Sequence, residues 1–264
     1  IEHWQDLDDA RTWFEYALAS DPACERARRG LEQIALTLGD DESILEAFER
    51  EAAVTTDRAR LAFLVWELVR IFEERGEDRR ALRWARQLAR ALPEDRRALE
   101  TTARLEEALG EHPALCDTLE RLDLLLEGAA RAACRRRRAR SLQKLGRHDE
   151  ATRAWRSALE ADPRSVAGLR GLEASLLREE AWEELARIRE RLLAELSGDA
   201  AVQLQRELAA LRLGPLGDPA GAIPLLEALC EHAAQGDVDA EEKLEEALER
   251  AAHPERLVER LALR

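Results

Sequence analysis

The sequence predicts an all-α solenoid of stacked antiparallel helix pairs, and three observations carry that expectation. A five-slot pattern occupies Gly146, Ala151, Trp155, Ala158 and Pro163, with steps of 5, 4, 3 and 5 residues. It returns at Gly76, Ala81, Ala85, Leu88 and Pro93 with the same steps. The first slots fall at 39, 76, 110, 146, 180 and 217, spaced by 34 to 37 residues. Self-similarity at this period is the mark of helical hairpins that each bury one face on the next.

Each slot has a physical reason. Steps of 4 and 3 place three residues on one helix face. Small first and third slots let a neighbouring helix approach, and a large middle slot fills the space above them. Gly in the preceding turn takes a positive φ that other residues resist. Pro at the end stops the helix and disfavours helical geometry in the residue before it, as at Asp21-Pro22 and Asp162-Pro163.

Along the chain, Ala10, Phe14, Ala17 and Pro22 keep the last three steps and predict a second helix without its partner, with residues 1–7 as the tail of a missing first helix. Gly39, Ile44, Phe48 and Glu51 open the next copy. Gly110, Leu115, Leu119 and Leu122 follow the same steps, as do Gly217, Ala222, Leu226 and Leu229. Glu180, Leu185, Arg189, Leu192 and Ser197 keep all four steps with the Gly replaced. Intervals above 34 predict longer loops or helix ends in some copies. The densest turn signal, Leu213 to Pro219, sits at an inter-helix turn, and Pro224 is placed to kink the helix after it. Val238 to Leu263 reads as a last hairpin turning at His253-Pro254. Its Leu257, Val258, Leu261 and Leu263 expect cover from further repeats, a following domain or self-association.

The stretch from Leu145 to Pro163 resembles the tetratricopeptide repeat, a helix–turn–helix unit of 34 residues, and the resemblance extends over nearly the whole chain. It implies a right-handed superhelix that binds partner proteins through its concave face. On this reading the chain is a single repeat domain over 1–264, a piece of a longer protein, with about seven hairpins of which the first is truncated. The repeats run roughly over 1–22, 25–57, 62–93, 96–127, 132–163, 166–197, 203–234 and 238–264.

Composition agrees. Hydrophobic residues make up 45% and charged residues 36%, which suits amphipathic helices with solvated outer faces and argues against a disordered chain. The apolar run Leu61 to Leu68 is too short to span a bilayer, so no membrane insertion is expected. The chain begins at Ile1 and contains no Met, which points to a fragment or a processed product. Cys24, Cys116, Cys134 and Cys230 form no CxxC, read as packing residues, and suit a reducing cytoplasm. Basic residues are almost all Arg, with Lys only at 144 and 243, a bias expected of a GC-rich bacterial genome.

No chemistry of a known pattern is present. The chain lacks GxxxxGK[ST], GxGxxG, GxSxG and HExxH. His112 and His148 fall in turns as solvated residues, and no two histidines pair at ligand spacing. We therefore expect no catalytic residue, no metal and no cofactor. Trp155 is core, Trp84 and Trp182 are packing residues, and one of Trp13 and Phe14 faces the core.

Charge gives the functional expectation. In the family the inward positions lie 13, 10, 6 and 3 residues before the first slot. Carried onto this chain they include Arg26, Arg29, Phe63, Trp66, Arg70, Arg97, Arg104, Arg136, Arg140 and Arg170. Eight arginines and four glutamates occur in the whole set, although the chain carries a net charge of −14. Arginines lining a concave wall would concentrate an anionic ligand and hold carboxylates with paired donors. The expected function is a non-catalytic interaction module or scaffold that holds an acidic segment of a protein partner, with Phe63 and Trp66 as an apolar anchor. The alternatives are a regulatory or sensor segment of a larger enzyme or signalling protein, and a self-assembling solenoid. Nucleic acid is disfavoured: the run Arg135 to Arg138 spreads around its helix, and the overall charge opposes phosphate. Arg135 and Arg138 should fall on a buried face, so that hairpin must pack loosely or turn its arginines outward. The family's carboxylate clamp of Lys and Asn is not carried over, because its slots hold Arg, Gln, Trp and Glu and the chain has no Asn.

Overall fold

The structure, a computed structural model, describes residues 2–21, 24–38, 41–232 and 237–263. The Gly39 slot and the Pro22 stop lie outside them, as do the side chains of Leu36, Leu261 and Leu263. The described residues form helices and turns, in two compact units divided after Leu125. Unit 1 holds α1 (Glu2–Ser20), α2 (Glu25–Leu38), α3 (Asp41–Val54), α4 (Arg58–Glu74), α5 (Asp78–Ala91), α6 (Arg96–Ala108) and α7 (His112–Asp123). Unit 2 holds α8 (Gly128–Lys144), α9 (His148–Ala161), α10 (Val166–Arg178), α11 (Trp182–Leu193), α12 (Asp199–Leu213), α13 (Pro219–His232), α14 (Val238–Arg250) and α15 (Pro254–Leu263). Within each unit every helix packs on the next in chain order, so the stacked tetratricopeptide-like hairpins implied by the resemblance are what the chain builds.

The turns explain the Gly slots. Gly76, Gly110 and Gly146 have φ of 71°, 71° and 72°, with no atom near enough to object to a Cβ. Their need for Gly is therefore conformational. Each closes the first helix of its hairpin with two crossed bonds: at Gly76, its own N–H to the Glu73 carbonyl at 3.0 Å and Glu77 N–H to the Phe72 carbonyl at 2.8 Å. Glu180 takes the same turn at φ 54° without being Gly, and so does Ala252 at φ 56°. Ala252 is thus the slot of the last hairpin, 35 residues after Gly217 and so in register, but not announced by its residue type.

Intervals above 34 are absorbed by the first helices. α4 and α8 run to 17 residues, whereas α6 and α10 have 13. Asp57 sets the early start of α4 by accepting the Ala59 and Arg60 N–H groups, four residues ahead of the expected boundary at 62. At the start of the chain α1 is one unbroken helix, not the tail of one helix followed by another, since no Gly or Pro interrupts residues 2–20. α13 continues through Pro224, with Pro219 at its first turn.

The slots are buried as expected. Ala81, Ala85 and Leu88, like Ala151, Trp155 and Ala158, sit in the core. Trp155 is 2% exposed and lies over Gly171, where a Cβ would come within 2.5 Å of its ring. Phe14 presses on Gly30 in the same way, also 16 residues on, while Trp13 is 73% exposed. In these two copies the aromatic middle slot therefore requires a Gly on the helix that follows. Arg189 fills the middle slot of its copy, and its charge is met by Glu173 at 2.9 Å and the Glu207 carbonyl at 3.1 Å. Two buried carboxylates in unit 1 also meet arginine: Glu51 is held through both oxygens by Arg60, and Glu106 accepts from Arg86 Nε at 2.9 Å through Oε1, with Oε2 left without a hydrogen bond.

α8 packs on α9 through Ala132, Cys134, Ala139, Ser141 and Leu142. Its arginines 135–138 are all half-buried, and Arg135 Nη1 donates to the Ser157 carbonyl at 3.0 Å. Arg135 is therefore not turned outward: its head is tied to backbone. His112 and His148 are the first residues of α7 and α9 and are half-buried, rather than solvated turn residues. Arg178 Nη1 lies 2.9 Å from His148 Nδ1. Cys116 and Cys134 are buried, with Cys24 and Cys230 partly so. In the last hairpin Leu257 packs on the core of Ala209, Leu213, Leu226, Leu244 and Leu248, while Val258 is exposed. No described helix is long and apolar enough to cross a membrane.

Candidate protein-binding face

In unit 1, α4 and α6 carry the expected inward positions. The chain turns after α4 at Gly76 and after α6 at Gly110, so residues 31 apart come opposite one another. The Arg97 guanidinium sits 4.2 Å from the centre of the Trp66 ring. Two turns further on each helix, Arg104 Nη2 donates to Glu73 Oε1 at 2.5 Å. These two contacts join inward positions of neighbouring hairpins into one continuous strip. Phe63 lies at its end, 49% exposed, with the Arg60 guanidinium 5.3 Å from its ring centre. Cation–π contacts of this kind hold an arginine over an aromatic face without consuming all its donors.

Most of the other arginines of the set already face carboxylates. Arg29 bonds Glu25 one turn back on α2. Arg70 bonds Glu67 at 2.8 Å and Glu74 at 3.0 Å, and the hydrogen bond it donates to Glu67 is the main reason its pKa is raised. Arg96, outside the set, covers Glu100 at 2.7 Å. The positive excess of the strip is therefore smaller than its arginine count suggests. Arg26 and Arg97 are exposed and make no ion pair among the described residues. Beside Arg70 a cleft of about 370 Å³ opens between α3 and α4, floored by Ile44, Phe48 and Ile71 and edged by Glu67, Glu74 and Arg75.

In unit 2 the set is more dispersed. Arg136 is largely covered and donates to Ser165 Oγ at 3.0 Å, beside Asp162 at 3.6 Å. Since Ser165 also caps α10, Arg136 braces a helix start rather than lining a free wall. Arg170 bonds Glu173 at 2.8 Å, which places it on the edge of the Arg189 network. Arg140 is exposed and makes no ion pair among the described residues.

Sequence reading missed Arg60, which both flanks Phe63 and neutralises buried Glu51. Its spacing of three from Phe63 on one helix was the available signal. Among the described residues no group of three or more His, Cys, Asp or Glu is placed to hold a metal ion.

No protein-family model matches the chain, and no curated protein matches it. Solved structures do. YrrB, a TPR protein with an unusual peptide-binding site, is 13% identical, with a TM-score of 0.48 over 71% of this chain and 92% of its own. MamA from Desulfovibrio magneticus RS-1 is 16% identical, with a TM-score of 0.45 over 66% of this chain and 94% of its own. A tetratricopeptide repeat protein from Parabacteroides merdae is 17% identical, with a TM-score of 0.36 over 93% and 94%.

Proposed function

We propose that this chain is a non-catalytic interaction module whose α4–α6 strip receives an acidic segment of a protein partner. The observation that carries the reading is the strip itself. Trp66 with Arg97, and Glu73 with Arg104, are register-matched across two hairpins and are accessible together with Phe63. An aromatic anchor beside planar cations suits a segment that alternates carboxylates with an apolar side chain. Existing ion pairs do not forbid this. Arg104 is more than half exposed, and exposed pairs of this kind contribute only about 0–1 kcal/mol, so a partner carboxylate can replace Glu73 at small cost. Exposed Arg140 and Arg170 of unit 2 form a separate patch with the same preference.

The test is a charge-reversal series read by anisotropy with labelled acidic peptides that contain one aromatic residue. Arg97→Glu with Arg104→Glu should weaken binding about tenfold or more and flatten its salt dependence. Arg140→Glu with Arg170→Glu reports on unit 2 independently. Unchanged affinity and salt dependence in both pairs would remove the reading.

A further inference from the structure

The second helix of a unit 1 hairpin carries an arginine row that the α4–α6 strip does not use. On α5, Arg79, Arg83, Arg86 and Arg90 are separated by 4, 3 and 4 residues and therefore share one face. They line an open cleft of about 550 Å³ with Leu82 below and Glu111 at the edge. The middle two arginines are committed. Arg83 bonds Glu49 at 2.9 Å, and that carboxylate also serves Arg80 and the Trp84 ring N–H. Arg86 is held between Glu106 and Glu111; burial alone would lower its pKa, but the hydrogen bonds to Glu111 and Glu106 outweigh it and keep it raised. The outer two are different. Arg79 and Arg90 are exposed and make no ion pair among the described residues.

We propose that this α5 cleft is a second binding site, for an extended acidic segment whose negative charges meet Arg79 and Arg90. The helix rises about 1.5 Å per residue, so these two positions stand about 16 Å apart along it. An extended peptide advances about 3.3 Å per residue, so the span matches two acidic positions about five residues apart. One small anion cannot reach both ends. Arg86, fixed by its two carboxylates, keeps the middle of the row in place. The chain's net charge of −14 repels a nucleic-acid backbone, which carries charge at every residue, more than it repels a peptide with two spaced acidic groups.

The experiment titrates the full chain into a fluorescein-labelled peptide with two Glu-Glu pairs separated by four Gly and Ser residues, at low salt. Arg79→Glu with Arg90→Glu should weaken binding about tenfold or more. The milder Arg79→Gln with Arg90→Gln should weaken it less, and an unchanged unfolding midpoint in that variant shows the fold is intact. Arg97→Glu with Arg104→Glu, which disables the α4–α6 strip, should leave this peptide's affinity unaltered, so the two sites fail separately. An equal loss from Arg153→Glu with Arg187→Glu, a charge-matched pair elsewhere, would overturn the proposal. So would equally tight binding of a peptide whose Glu pairs adjoin, or tighter binding of a single-stranded oligonucleotide lost in the same α5 variant.

Discussion

Trp155 shows what a single position contributes. Its ring fills the middle slot of α9, is closed over by Gly171 of α10, and is almost wholly out of water. Truncating so large a core side chain typically costs about 3–5 kcal/mol. Trp155→Ala is therefore expected to lower the urea unfolding free energy by about that amount, whereas Arg140→Ala, at an exposed site, should change it by less than about 0.5 kcal/mol. Similar losses in the two would contradict the assignment of faces. The Trp was legible because its neighbours at steps of 4 and 3 are small. Gly171 was not legible, because its reason lies on the next helix and no local pattern expresses it. Arg189 was read as a slot residue, but its carboxylate partners come from α10 and α12, beyond the reach of any one helix's periodicity.

The hairpin is the element that repeats, and its turn is where residues depart most from preference. Glu180 holds a left-handed conformation that its neighbours in the pattern assign to Gly. Such a conformation costs a non-glycine residue about 1–2 kcal/mol, partly offset by the greater freedom a Gly loses on folding. Glu180→Gly is thus expected to raise stability by about 0.5–1 kcal/mol, read as a higher urea midpoint with an unchanged slope. No gain would mean that the side chain makes up the cost elsewhere. The turns were visible in advance because steric limits on φ act within one residue. Helix starts were less so. The early start of α4 depends on the Asp57 side chain, and the expected boundary had used only the average repeat length. The binding strip was legible as positions but not as charge. Sequence placed Arg70, Arg97 and Arg104 on one face, yet only coordinates reveal that Glu67, Glu74 and Glu73 stand beside two of them.

For the molecule as a whole, acid should loosen what arginine holds. In unit 2 the pKa of Glu184 is lowered chiefly by the hydrogen bond from Arg156, that of Glu195 by Arg164, that of Glu150 by Arg147 and that of Asp237 by Arg206. A carboxylate whose folded pKa lies below its unfolded value stabilises the fold above the unfolded value and loses that contribution as pH falls towards the folded one. For the glutamates the ordinary value is 4.5, so the loss begins near that pH and continues below it. The urea midpoint should stay nearly level from pH 7 to about 5 and then drop on further acidification. Arg156→Gln should show a smaller part of this drop, because Glu184 then titrates more nearly alike in both states. A midpoint unchanged at pH 3.5 would refute the linkage.

First helices of 17 residues in α4 and α8, against 13 in α6 and α10, have one more consequence. The copies are not interchangeable bricks. A 17-residue helix is about 6 Å longer than a 13-residue one, so excising or shuffling a hairpin would bring together ends cut for different neighbours. Sequence drift at this locus should then spare the order of the copies even where it rewrites their surfaces.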